Sequence, residues 1–255
     1  MIDYLHDGSF EGFLTCVHGH YHRERAAGIY TEEGYQPSLL WGSCRVEADE
    51  ALAGTVYRAI GEKLGQETLE QTYRIHLSNR PDRYDLALRY LVLGFRTGPS
   101  VNALQGDPVV FEARTLARKV SFEAHRLTGL VRFSVLRTDP AQELLYGKLT
   151  PDHDVLELLG DHFADRFRNA PFVLHDLRRA KALFGQGGTW TIGPLGPVDT
   201  GAVSADETEF RRLWKLYYDH IAIAERTNPT CRRRFMPVRY WTHLTEMWYH
   251  PGGGA

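Results

Sequence analysis

The hydrophobic period of this chain changes once, near residue 130, and that change restricts the fold more than any other feature. Upstream, apolar residues recur at the spacing of helices. A short strand at residues 2–6 leads through Asp7, Gly8 and Ser9 into a helix with the stripe Phe10, Phe13, Leu14, Val17 and Tyr21. Residues 28–46 read as loop-rich, with one apolar run at Leu39, Leu40 and Trp41. Helical stripes follow at Leu52, Val56, Ile60 and Leu64, stopped by Gly65, and at Leu69, Tyr73 and Leu77. Another begins at Pro81 and buries Tyr84, Leu88, Leu91 and Phe95. A long helix opens at Asp107 and Pro108 and ends at Gly129.

Downstream, residues 131–135 and 145–149 alternate, which predicts a hairpin turning at Asp139 and Pro140. Thr150 and Pro151 predict a helix start, with the helix running to Phe167. A buried strand at residues 172–174 comes next. A second hairpin joins 180–184 to 189–192 through Gly185, Gln186, Gly187 and Gly188. A capping box at residues 204–207 starts a helix carrying Phe210, Leu213, Trp214 and Tyr217, and Pro237 opens a last one with Trp241, Leu244 and Trp248. The expectation is an α+β fold, about eight helices around a small antiparallel β meander with one inserted helix. It is read as a single domain over 1–250, with a helical subdomain at 47–128 and a flexible tail at 251–255.

Charge narrows the function. The chain has 255 residues with 30 basic and 32 acidic side chains, which excludes a histone-like coat for nucleic acid. The balance hides an asymmetry: residues 1–110 hold 10 basic and 15 acidic side chains, residues 111–255 hold 20 and 17. Of the basic residues 25 are Arg and 5 are Lys. Arg is the better bidentate phosphate partner, although a GC-rich genome would also raise Arg throughout. Cys16, Cys44 and Cys231 form no CxxC pair and no disulfide framework, so a reducing cytoplasm is expected. No signal peptide and no membrane span is expected.

Four groups of residues could carry chemistry. Cys16, His18, His20 and His22 are possible metal ligands, but on a helix they fall on two different lines, so no metal site is expected. Asp152, His153 and Asp154 precede His162, Asp165 and Arg166 on the expected helix. There Asp152 and Asp154 suit the helix dipole, and the His–Arg pair could bind phosphate or act as a polarised acid, or simply pack. Asp176, Arg178, Arg179 and Lys181 follow a strand as a compact basic turn. Arg226, Asn228, Arg232, Arg233, Arg234, Arg239, Tyr240 and Trp241 interleave arginine with aromatics, as phosphate-backbone and single-strand contacts do. There is no Walker loop, nucleophile elbow, zinc-deaminase signature or iron–sulfur motif.

Several strings taken together resemble a bacterial family of DNA metabolism proteins, the DUF4130 family. They are YLHDGSFEGFL from Tyr4, KVSFEAHRLTGLVRF from Lys119, PDHDVLELLGDHFADRF from Pro151, residues 172–178, and AIAERTNPTCRRRFMPVRYWTHLTE from Ala222. The resemblance spans nearly the whole chain. His18, His20 and His22 depart from it, since the family more often has acidic or neutral residues there. The resemblance implies association with a radical SAM repair protein and with uracil-DNA glycosylase-like domains. No such domain follows in this chain, so glycosylase activity is expected from a partner.

The resulting expectation is a cytoplasmic accessory protein of DNA metabolism or repair, without a cofactor, that contacts DNA and docks a repair enzyme. The alternatives are an enzyme acting on DNA or a nucleotide, with His125, His153, His162, Asp165, Asp176 and Glu225 as candidate catalytic groups, and a protein–protein adaptor without nucleic-acid contact.

Overall fold

Ser9 and Asp49 show how local chemistry sets the first elements. The Ser9 side chain accepts a hydrogen bond from the Gly12 amide and starts a helix; Asp49 does the same for Ala51 and Leu52. The computed structural model describes residues 1–33, 35–139, 142–198, 236–244 and 247. The chain divides into two compact units, Met1–Ser121 and Phe122–Ala255.

The first unit begins with β1 (Ile2–His6), α1 (Phe10–His22), β2 (Ala26–Thr31) and β3 (Ser43–Arg45). β1 is the middle strand of a sheet ordered β2-β1-β3, and both pairings are parallel. The expectation of loop at 28–46 is therefore corrected: two short edge strands lie there. Neither announces itself, because β3 has three residues and β2 contains Gly28. Helices α2 (Glu50–Leu64), α3 (Gln66–His76) and α4 (Arg83–Thr97) follow, then a 3-10 helix (Gly98–Ala103) and α5 (Pro108–Leu130), whose last residues belong to the second unit. α4 begins two residues after Pro81, since Asp82 stands at its N-cap position. The core gathers Phe13, Ile60, Ile75, Leu86, Tyr90 and Val110. Cys16 is also fully buried, while His20, one turn further along α1, stays partly exposed.

The second unit holds a five-stranded sheet ordered β4-β5-β6-β7-β8, formed by β4 (Phe133–Asp139), β5 (Gln142–Leu149), β6 (Phe172–Asp176), β7 (Lys181–Gln186) and β8 (Thr189–Pro194). α6 (Leu156–Arg166) connects β5 to β6, and that crossover makes the pair parallel; the other three pairings are antiparallel. The sheet is mixed, which corrects the all-antiparallel meander, while the α+β class holds. β7 and β8 join through Gly187 and Gly188, both at positive φ, as a two-residue hairpin requires. Phe133, Phe163, Phe167 and Phe172 pack as one aromatic cluster beneath α6.

Two more expectations change. α6 begins at Leu156, not at Pro151, so residues 151–155 are a loop. After Pro237 the chain forms a 3-10 helix (Val238–His243). The expected helix over 204–224 lies outside the described residues, as do Trp248 and the tail 251–255. Among the described residues no helix is long and apolar enough to cross a membrane.

Candidate functional site

The loop that replaces the start of the expected helix is held by Glu123. This residue falls on the buried face of α5, between Val120 and Leu127, and is 2% exposed. A carboxylate removed from water needs several donors to offset its lost hydration. Glu123 has them: the Asp152 amide donates to Oε1 at 3.0 Å and the His153 amide to Oε2 at 2.7 Å. The Tyr240 hydroxyl donates to Oε1, and the Arg239 guanidinium approaches it at 3.4 Å. Burial, then the bond to Glu123, raises the Tyr240 phenol well above its ordinary value.

A second buried carboxylate organises the turn after β6. Asp176 is fully buried at the end of that strand. Its Oδ1 accepts the Arg178 and Arg179 amides at 2.9 and 3.3 Å, and its Oδ2 meets the Arg179 guanidinium at 2.8 Å. Arg179 also donates to the Pro151 and Asp152 carbonyls, at 3.2 and 2.6 Å. Turn and loop are thus stapled by a guanidinium whose fork satisfies three oxygens.

Above these two anchors lies an exposed rim. Asp152 Oδ1 pairs with Arg178 Nη1 at 3.1 Å and its Oδ2 with Arg239 Nε at 3.2 Å. One carboxylate therefore holds two guanidiniums side by side, with their side chains 50% and 45% exposed. The Arg239 guanidinium lies 4.7 Å over the Tyr240 ring. Lys181 pairs with Asp154 at 2.5 Å. Asp152 and Asp154 were expected to serve a helix dipole; with the helix starting later, they serve these cations instead. His153 is half-buried between the layers, and burial pushes its imidazole below the ordinary value, against the pull of Glu123 and Asp152.

Of the expected site residues, His153, Asp176, Arg178, Arg179, Arg239 and Tyr240 come together here. His125, His162, Asp165 and Arg166 do not. His125 is exposed on α5. On the exposed side of α6, His162 lies edge-on to Phe163, Asp165 pairs with Arg168, and Arg166 lies over Phe167. Trp241 donates its indole N–H to the Met236 carbonyl. Glu225, Arg226, Asn228, Arg232, Arg233 and Arg234 lie outside the described residues. Glu123 is the member that the sequence reading missed. Its signal was available: an acidic residue in the apolar stripe of a long helix.

In the first unit, the His18 and His22 rings stack at 4.2 Å, and His20 Nδ1 accepts the Ala26 amide. Among the described residues no three His, Cys, Asp or Glu side chains converge as a metal site.

An α+β fold whose mixed sheet carries a two-layer charge cluster on its crossover loop defines the class. The chain belongs to the DUF4130 family: the family's model, described as a domain of unknown function, matches residues 81–246, which include every residue of the cluster. No curated protein and no solved structure matches it.

Proposed function

We propose that this protein is an accessory factor of DNA metabolism or repair, acting in the cytoplasm, that contacts DNA phosphates at the Asp152 rim. The reading rests above all on one observation: a single carboxylate sets two half-exposed guanidiniums beside each other, while the carboxylates beneath them are buried. Such a pair offers parallel N–H donors to a phosphate oxygen, the geometry in which Arg outperforms Lys. Phosphate contacts of this kind position a protein on DNA without reading sequence. The family resemblance supplies the context, a partnership with a radical SAM repair protein or a uracil-DNA glycosylase-like protein that does the chemistry.

The test is a fluorescence-anisotropy titration of labelled single- and double-stranded DNA at several salt concentrations. Affinity should fall as salt rises. Arg178→Ala and Arg239→Ala should each weaken binding similarly for unrelated sequences and lower the magnitude of the salt slope by about 1. Binding that ignores both salt and these substitutions would refute a phosphate contact at the rim.

A further inference from the structure

His18 and His22 stand one turn apart on α1 and meet on one side of the helix. Their rings stack with centroids 4.2 Å apart and planes 23° from parallel. Two imidazoles this close repel if both carry a proton. Burial first, then His22 and Arg23, push His18 below its ordinary value, against the pull of Asp49. The neutral ring offers a lone pair. His18 Nδ1 is buried and, among the described residues, has no hydrogen-bond partner. A buried polar atom of that kind calls for a partner from outside the chain.

The surroundings suit a cation. His22 is the last residue of α1, where the carbonyl end of the helix gathers negative potential. Asp49 is a fixed acid beside this helix: its amide donates to Thr15 Oγ1 at 3.1 Å, and its Oδ1 holds the Ala51 and Leu52 amides. Arg23 opposes a cation and Asp49 favours one. His22 is exposed and His18 partly so, so a rotamer change at His22 turns the stack into a chelate without moving the backbone. His20 lies on another line, where its Nδ1 accepts the Ala26 amide at 3.1 Å. Imidazole nitrogens suit late first-row divalent ions, whereas Mg²⁺ and Ca²⁺ take oxygen. Two histidines at i and i+4 on one helix face is also the spacing with which helices grip zinc. We infer that His18 and His22 chelate a late first-row divalent cation (Zn²⁺, Ni²⁺ or Cu²⁺), with water completing its coordination. Among the described residues no third His, Cys, Asp or Glu joins them, so this is an open surface chelate and not a closed structural site. It shares no residue with the Asp152 rim and stands whether or not that rim contacts DNA.

The experiment uses the full chain, stripped with a chelator and dialysed, and Ni²⁺ alone as the probe. Isothermal titration should reveal a site that Mg²⁺ and Ca²⁺ do not fill. His18→Gln and His22→Gln should each weaken Ni²⁺ binding by about tenfold or more, since one imidazole cannot chelate, while His20→Gln should change it by less than about twofold. His22 is exposed, so its substitution should keep the parent's circular dichroism and remain readable even if His18→Gln folds poorly. A second readout counts ligands. With one equivalent of Cu²⁺, the electron paramagnetic resonance spectrum should show splitting from two imidazole nitrogens in the parent and from fewer in His22→Gln. No Ni²⁺ binding by the parent, or the parent's affinity in His22→Gln, overturns the inference. So does a loss in His20→Gln equal to that in His22→Gln, or a Cu²⁺ spectrum that His22→Gln leaves unchanged.

Discussion

Single side chains carry unusual weight in both units. Glu123 gathers two backbone amides, a phenol and a guanidinium around a carboxylate that solvent barely reaches. Glu123→Ala strands those donors, and removal of one partner from a buried charged network costs about 3 kcal/mol or more. Tyr240→Phe removes one donor and leaves the amides in place, so about 1 kcal/mol is expected. Urea midpoints at pH 7 measure both, and equal losses would show that Glu123 is not the hub. His6 makes a different prediction. It is fully buried, and its Nδ1 accepts the Gly8 amide at 3.2 Å. Burial pushes its imidazole from 6.5 down to about 4, with Asp7 opposing and Arg83 adding to the effect. Between those pH values the unfolded chain holds a proton that the folded chain refuses. The stability from a neutral His6 is complete above pH 6.5 and is lost as pH falls towards 4, about 3 kcal/mol in all. His6→Gln should flatten the pH dependence of the urea midpoint across that window, and an unchanged slope would exclude His6 as its source.

At the scale of elements, α6 meets β8 at a glycine. A Cβ on Gly160 would collide with the Trp190 indole, whose N–H donates to Asp161 at 2.8 Å. Gly→Ala in a helix gains up to about 1 kcal/mol in propensity, but overpacking costs about 1–3 kcal/mol. Gly160→Ala should therefore destabilise the protein and shift Trp190 fluorescence as the indole leaves Asp161. A rise in Tm would mean that the helix slides away freely. The same junctions show what a linear reading can and cannot reach. Helical stripes and the Gly187–Gly188 turn are local properties, and they were legible. The loop at 151–155 imitates a helix start, with Pro151 followed by two carboxylates, and only distant partners prevent it. Glu123 lies 29 residues from Asp152, and Arg179 grips the loop from 27 residues beyond. The parallel pairings hide for a related reason, since their hydrogen bonds join residues with no turn between them. The site was half legible: the basic turn and Arg239–Tyr240 stood out, while the buried acid joining them carried no chemical motif.

Across the whole molecule, charge nearly cancels, with a formal net of −2 at pH 7. A protein so close to neutral draws little on long-range attraction to a polyanion, so any DNA contact depends on how a few charges are arranged. Asp152 then has two opposed effects at the rim. It aligns Arg178 and Arg239, and it also occupies the donors that a phosphate would use. The backbone around it is fixed independently, because Glu123 binds its amide and Arg179 its carbonyl. Arg239 likewise keeps its contacts to Glu123 and to the Tyr240 hydroxyl when Asp152 is neutralised. Arg239 should therefore keep its place in Asp152→Asn, and the asparagine amide oxygen can still accept from Arg178, while one competing negative charge disappears. The expected result is several-fold tighter DNA binding at low salt and a salt slope steeper by up to about 1, as one more phosphate displaces its counterion. Asp154→Asn, which frees only Lys181, should have a smaller effect. Weaker binding by Asp152→Asn, with Glu123 and Arg179 unaltered, would show that the carboxylate's alignment of the arginines outweighs its competition with phosphate.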